Sequence, residues 1–334
     1  MNLSTFIFNN VDCREKISYN VNKNKSMEEV KMKKGIGVGI EDFRKIIEED
    51  CYYFDKTDYI EELLKDKTEI KLFTRPRRFG KTLNMTTLKY FFDVRNAEEN
   101  RKLFKDLYIE KSEYFKEQGQ YTTIFITFKD LKKNTWEEMF FEIKVLLREL
   151  YEEFSFVREK LSDNEKIEYN KILSKTEDAE YGRSLRNLIA YLHNYYQKKV
   201  VLLIDEYDSP LIVANQKGYY KEAINFFRDF LSSALKTNPY LKMGVLTGIV
   251  QVAKEGIFSG LNNVKTYNIL GDKFEIFFGL SEEEVEEALK YFEMTYEIEE
   301  VKKWYGGYKF GNIEVYNPWS IINYLRKKNY KHIG

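Results

Sequence analysis

Residues 73–84 read FTRPRRFGKTLN and contain the tripeptide Gly80-Lys81-Thr82. A glycine, a lysine and a hydroxyl in this order close the phosphate-binding loop G-x-x-x-x-G-K-[ST]. In that loop main-chain N–H groups and the lysine hold phosphates, and the hydroxyl binds Mg²⁺. Arg75 stands where the loop has its first glycine. The stretch is therefore either a nucleotide site with an unusual start or a chance tripeptide whose arginines face water.

The segments on either side of the loop favour a working site. Residues 68–75 predict a short strand, and residues 81–93 carry apolar side chains at helical spacing. Strand, loop and helix form the context that a phosphate loop requires, and the positive end of the helix attracts phosphate. We expect Lys81 to reach the β- and γ-phosphates, and Arg77 and Arg78 to add charge near the γ-phosphate.

A second motif, KVVLLIDEYDSP at 199–210, predicts a buried strand that ends in acids. Asp205 is expected to hold the Mg²⁺ shell, and Glu206 to polarise the attacking water as a general base. The alternative is a strand that ends in acids by chance, one of which caps the next helix. A structural role is expected for Asp208, because Ser209 is a typical helix N-cap with Pro210 at the first helical position.

Thr247 lies at the end region of the next predicted strand, at 242–249. In P-loop ATPases with a catalytic glutamate on the acidic strand, a polar residue here contacts the γ-phosphate or the water. A threonine at a strand end is more often structural. In this order along the chain, however, the three motifs reinforce one another.

Strands that alternate with helices predict a parallel sheet covered on both faces. The expected fold is α/β: a P-loop NTPase three-layer sandwich with a mainly parallel central sheet, followed by a small, mostly helical lid region. We expect a flexible leader at 1–34, an ATPase core at 35–280 with a helical insertion near 135–197, and a C-terminal helical or lid region at 281–334. Further strands are predicted at 121–128 and 266–270, and a glycine-rich hairpin or turn at 304–318.

The composition limits the classes of partner. Lysine plus arginine and aspartate plus glutamate both number 54, so no overall charge draws the protein to nucleic acid or membranes. Two cysteines and two histidines supply neither a zinc spacing nor a disulfide framework. No apolar run is long enough to span a bilayer, and the N-terminus lacks a secretory pattern. We expect a cytoplasmic protein.

Five stretches of the sequence resemble the bacterial and archaeal AAA-ATPase-like proteins, and the similarity runs from about Lys34 to the C-terminus. They read GIEDFRKIIEEDCYYFDKT, FTRPRRFGKTLNMTTLKYFFD, VVLLIDEYDSP, VLTGI…AKEGIFSGLNN and WYGGYKFGNIEVYNPWSIINYL. An arginine in place of the first glycine is this family's own form of the loop. The resemblance implies a Walker B pair at Asp205 and Glu206. The candidate metal ligands are Thr82 and Asp205. The nucleotide-binding candidates are Arg75, Pro76, Arg77, Arg78, Phe79, Gly80, Lys81, Thr82 and Leu83.

The sequence departs from the family in two places. Many relatives have an arginine after TGI, where this chain has Gln251. If that arginine senses phosphate, turnover here is slow unless Lys254 compensates. Family members also commonly continue into a nuclease-like domain of the PD-(D/E)XK type. Little sequence follows NPWSIINYL at 317–325, so we expect no nuclease activity from these residues.

These features predict an Mg²⁺-dependent ATPase that acts as a regulatory or switch module. Its expected partners are ATP and either another protein or a C-terminal effector domain. One alternative is a nucleotide-binding switch or scaffold that hydrolyses little or nothing, which Gln251 favours. A nucleic-acid effector is disfavoured by the neutral charge, and a GTPase by the lack of an N-K-x-D motif. The adenine pocket is expected around Asp42-Phe43 and the helix from Asp55. The catalytic candidates are Glu206, Lys81, Thr247, Arg77 and Arg78.

Overall fold

Five short apolar segments form a parallel sheet in the computed structural model, which describes residues 33–251, 257–258, 261–271, 274–294 and 297–329. Neighbouring strands are parallel, in the spatial order β2-β3-β4-β1-β5. Strands β1 and β3 are buried along their whole length, as expected for parallel strands covered on both faces. The strands are β1 (Ile70–Thr74), β2 (Thr122–Thr127), β3 (Val200–Asp205), β4 (Leu241–Gly248) and β5 (Val264–Tyr267).

Helices connect and cover these strands, and an antiparallel hairpin follows them near the C-terminus. None of the helices in the described ranges has both the length and the apolar character needed to cross a bilayer. The hairpin strands are β6 (Tyr308–Phe310) and β7 (Ile313–Val315). The helices are α1 (Phe43–Glu48), α2 (Asp58–Lys65), α3 (Lys81–Phe92), α4 (Ala97–Lys102), α5 (Trp136–Glu153), α6 (Asp163–Ser174), α7 (Ser184–Tyr196), α8 (Ser209–Lys217), α9 (Tyr220–Leu235), α10 (Glu282–Tyr291), α11 (Ile298–Tyr305) and α12 (Pro318–Asn329).

Successive side chains of each strand enter two different cores, because side chains alternate across a sheet. Leu72 and Leu202 pack on one face with α5, α7 and α9. Phe73 and Leu203 pack on the other face with α2 and α3. The sheet therefore has helices on both faces, and the predicted α/β class with a parallel central sheet is confirmed.

The residues from Leu280 to Leu325 build a third apolar core from α10, α11, α12 and Tyr316, which directly follows β7. Ile36, Tyr52 and Phe54, near the start of the described chain, pack against this core. The predicted boundary between 280 and 281 falls inside one compact unit that begins at Lys34. Helices α5, α6 and α7 lie in the range of the predicted helical insertion. The predicted leader at 1–34 falls almost wholly outside the described residues.

Candidate active site

The strand order brings the three sequence motifs to one edge of the sheet. Strand β1 leads into the loop at 75–82, β3 ends at Asp205, and β4 lies between them and carries Thr247. Because the three strands are parallel, their carboxyl ends meet at the same edge, where open α/β sheets bind ligands. Side chains from distant parts of the sequence are therefore close together in space.

Asp205 is the buried centre of this cluster. One carboxylate oxygen accepts a hydrogen bond from Thr82 Oγ1 at 2.8 Å, and the other accepts one from Thr247 Oγ1 at 2.5 Å. A hydroxyl and a carboxylate are the hard oxygen ligands that Mg²⁺ prefers, and Mg²⁺ usually completes its shell with water and phosphate oxygens. The Thr82–Asp205 pair therefore suits a magnesium ion bound together with a phosphate ligand. Thr247 fixes the orientation of the carboxylate.

Lys81 is buried beneath the loop. Its ammonium donates hydrogen bonds to the carbonyl oxygens of Arg75 at 3.1 Å and of Pro76 at 2.8 Å. Burial lowers the pKa of Lys81, whereas the nearby Asp205 and Glu206 raise it. Since an ammonium has three donor hydrogens, one is left for a phosphate oxygen.

The loop turns through two residues with left-handed backbone angles. Arg78 has a φ of 69° and Gly80 a φ of 73°. This conformation costs a glycine little but strains an arginine. Gly80 also precedes the first turn of α3, which no side chain caps. The N–H groups of that turn and the positive end of the helix dipole can therefore bind an anion.

Glu206 follows Asp205 and is half-buried, with a left-handed φ of 52°. Burial raises the pKa of Glu206, and the charge of Asp205 raises it further. Lys81, Lys132 and Lys129 act in the opposite direction. A carboxylate of raised pKa is better matched to accepting a proton from water near neutral pH than an ordinary glutamate is. Lys129 and Lys132, in the segment after β2, were not among the candidates from the sequence.

A cavity of about 300 Å³ lies beside the loop and reaches Glu206. Its walls come from the segment before α2, from the loop and the first turn of α3, and from the C-terminal region. This combination places an apolar pocket directly next to the charged cluster. The nucleotide-binding candidates that line it are Arg77, Arg78, Phe79, Gly80, Lys81, Thr82 and Leu83.

The structure does not place Arg75 and Pro76 among the lining residues. The Arg75 side chain is 1% exposed, and its guanidinium donates to the carbonyl oxygens of Tyr267 at 2.7 Å and of Phe274 at 3.3 Å. It also lies over the ring of Phe278. Burial lowers the pKa of Arg75 to about 10. The prediction that Arg75 contacts the nucleotide is therefore corrected for its side chain. That side chain joins the start of the loop to β5 and to the segment that follows β5.

Asp208 makes structural contacts, as the sequence predicts, but the helix cap expected at Ser209 falls one residue earlier, at Asp208. Helix α8 begins at Ser209, and Asp208 precedes it without a capping hydrogen bond from its side chain. The Asp208 carboxylate instead accepts hydrogen bonds from the N–H groups of Ile249 and Val250, both at 2.8 Å. It therefore holds the chain just beyond β4. Gln251 is exposed at the end of this segment, and Lys254 lies outside the described residues.

The apolar wall of the cavity differs from the predicted adenine pocket. Asp42 caps α1 and accepts a hydrogen bond from Tyr90, and Phe43 is fully buried in the second core. Their neighbours in sequence line the cavity instead, together with three residues of α12 that the sequence analysis missed. The aromatic run YYF at 52–54 could have indicated the first group. These lining residues are Gly37, Gly39, Ile40, Glu41, Ile46, Cys51, Tyr52, Tyr53, Phe54, Lys56, Pro318, Trp319 and Ile322.

A parallel sheet with a charged cavity at its carboxyl edge defines an α/β protein of the class that binds ligands at strand ends. The chain belongs to the predicted AAA-ATPase family, whose family model matches residues 37–258. The resemblance seen in the sequence is confirmed. The chain is also 25% identical over 301 residues to an "Uncharacterized protein in vnfD 5'region" of Azotobacter chroococcum mcd 1. That alignment covers 90% of this chain and 53% of the relative, so the chain spans about half of the relative's length.

Proposed function

We propose that this chain binds ATP with Mg²⁺, hydrolyses it, and uses the nucleotide to drive a conformational switch. The observation that carries the proposal is the convergence of Lys81, Thr82, Asp205 and Glu206 beside one cavity. Membership of the predicted AAA-ATPase family supports the same reaction class.

In this proposal, residues of the loop and of β3 bind the phosphates and the metal ion together. Lys81 supplies a cation and one donor hydrogen, and the first turn of α3 supplies main-chain N–H groups. Thr82 and Asp205 present oxygen ligands to Mg²⁺. When bound, the metal neutralises charge that develops on the phosphates. The position of the exposed Arg77 and Arg78 suits them to the same task.

Glu206 has the properties of the general base. It lines the cavity at the end of β3, beside the proposed metal ligand Asp205. In this proposal it accepts a proton from the attacking water, while Thr247 keeps the Asp205 carboxylate oriented towards Thr82. The apolar and aromatic walls at 51–54 suit a nucleotide base and limit the access of bulk water to it.

The contacts of the loop with the C-terminal region support the switch. The Phe79 ring lies 5.1 Å from the rings of Tyr308 and Phe310 in the hairpin. Asn84, one turn into α3, donates to the carbonyl oxygen of Phe277 at 2.9 Å. A ligand that shifts the loop or the start of α3 therefore acts on the C-terminal region through direct packing.

A binding-only switch is the second candidate function, and the exposed Gln251 favours it, since an arginine is common there in the family. Two measurements on the purified chain separate the candidates: calorimetric titration with ATP, and steady-state phosphate release with and without Mg²⁺. Binding with Mg²⁺-dependent release supports the ATPase, and binding without release supports the alternative. Absence of binding would contradict both.

A further inference from the structure

The guanidinium of Arg78 lies directly over the indole ring of Trp319, with its Cζ 4.0 Å from the ring centroid. Arg78 belongs to the loop, and Trp319 is the second residue of α12. Both side chains line the cavity. A ligand in the cavity can therefore reach both members of this cation–π pair.

Arg78 is poised to change partners. Its side chain is exposed, and no carboxylate within the described residues forms an ion pair with it. Its backbone is held in the left-handed conformation, at a φ of 69°. An exposed cation–π contact is weak compared with a charge-assisted hydrogen bond between arginine and phosphate. A phosphate group near the loop therefore competes successfully for this guanidinium.

Trp319 connects this contact to a larger element. Its helix α12 packs into the third core through Ile321 and Leu325, which are both buried. The indole itself is 40% exposed and has room to move away from the loop. A change at Trp319 therefore alters the position of α12 against the loop rather than the core of the sheet.

We propose that Arg78 is a phosphate sensor: Trp319 holds it when no terminal phosphate is present, and it moves to the terminal phosphate when ATP binds, which releases the start of α12. This inference rests on the proposed function and adds its regulation. ADP lacks the terminal phosphate and leaves the Arg78–Trp319 contact in place. The nucleotide state is thereby transmitted to the C-terminal region.

Tryptophan fluorescence tests this proposal, because the chain has three tryptophans. The full chain carrying Trp136→Phe and Trp304→Phe keeps Trp319 as the reporter. We expect saturating Mg²⁺ with a non-hydrolysable ATP analogue to change the emission of Trp319, and Mg²⁺ with ADP to leave it unchanged. Adding Arg78→Ala should abolish the difference between the two nucleotides. The matched control carries Trp136→Phe and Trp319→Phe and reports Trp304, which is exposed on α11 and should not respond.

Affinity provides a second readout that leaves Trp136 and Trp304 intact. Trp319→Ala frees Arg78, so the ATP analogue should bind about 2- to 5-fold more tightly relative to ADP, the size of one exposed cation–π contact. Calorimetry on each variant verifies saturation. If both nucleotides bind but change Trp319 emission equally, Trp319 contacts the base and the sensor is refuted while the proposed function stands. If neither nucleotide binds, both proposals fail.

Discussion

The hydroxyl of Thr82 lies 2.8 Å from the carboxylate of Asp205, although 123 residues separate them in sequence. This hydrogen bond joins the helix that follows the loop to the end of β3, across the position of β4. It brings together the hydroxyl and the carboxylate that we propose as Mg²⁺ ligands.

We expect Asp205→Asn to remove the effect of Mg²⁺ on nucleotide affinity. The amide has nearly the same shape, but its neutral oxygen is a poorer ligand for Mg²⁺. Calorimetric titration with ATP in the presence of Mg²⁺ or of a chelator measures the effect. Asp130→Asn, an exposed change in the segment after β2, should keep the wild-type response. An unchanged Mg²⁺ effect in a folded Asp205→Asn chain would remove Asp205 from the metal site.

Lys81→Ala should abolish nucleotide binding or nearly so, because Lys81 supplies the buried ammonium of the loop. Titration with a fluorescent ATP analogue measures the affinity. Lys89→Ala is the matched control, since Lys89 lies on the same helix but outside the cavity. Wild-type affinity in the Lys81 variant would refute the assignment of the phosphate loop.

Glu206→Gln should bind ATP normally but release phosphate more slowly by a factor of roughly 10² or more, the scale of losing a general base. The amide preserves shape but cannot accept the proton. Turnover and binding are measured on the same preparation, so that a misfolded sample is recognised by lost binding. Turnover at the wild-type rate would mean that another residue positions the water.

We expect kcat/KM to fall at acid pH, with an apparent pKa above that of an ordinary glutamate. Burial and Asp205 raise the pKa of Glu206, so its carboxyl stays protonated, and inactive as a base, to a higher pH than usual. Turnover therefore rises as the pH passes through this raised pKa. The residual activity of Glu206→Gln should lack that acid limb. If the acid limb lies at the same pH in both proteins, the titrating group belongs to the nucleotide or to another residue.

Arg75→Gly restores the glycine of the common loop motif, yet we expect it to destabilise the fold. The change removes a buried side chain and its hydrogen bonds to the carbonyl oxygens of Thr74, Tyr267 and Phe274. Hydrogen bonds that involve a charged group contribute about 1.5–3 kcal/mol, so the free energy of unfolding should fall by about 2 kcal/mol or more. Urea denaturation measures it.

The matched control for this stability measurement is Arg77→Ala, which alters an exposed arginine two residues further along the loop. An exposed change of this kind should alter the free energy of unfolding by no more than about 0.5 kcal/mol. If Arg75→Gly were as stable as the wild type, the Arg75 side chain would contribute nothing to stability that a glycine does not. It would then have no role in holding β5.

The parts of the fold that the sequence predicted are those with strong local patterns. The apolar runs at 68–75, 121–128, 199–210 and 242–249 gave four strands, because a parallel strand buried on both faces carries an unbroken apolar pattern. The strand expected at 266–270 begins two residues earlier and ends at Tyr267. The loop and the acidic pair were found because their chemistry lies in a few adjacent residues.

The remaining parts of the site depend on contacts between distant residues, which no local pattern encodes. Arg75 was assigned to the nucleotide because it stands at the first position of the loop motif, but its partners lie 192 and 199 residues away. The helix cap was predicted at Ser209 from the local sequence, whereas the partners of the Asp208 carboxylate are more than 40 residues away. Trp319 reaches the loop only through the packing of the third core.

The order of strands also sets the order in which this protein can fold during synthesis. In the described sheet β1 pairs with β4 and β5, so residues 70–74 meet their partners only after residues 244–248 and 264–267 have left the ribosome. Strands β2 and β3 can pair earlier. Closing so long a connection is entropically costly and slow. A nascent chain that ends before β4 therefore carries the whole loop sequence on an unpaired strand. The proposed nucleotide site forms only when most of the chain has been made.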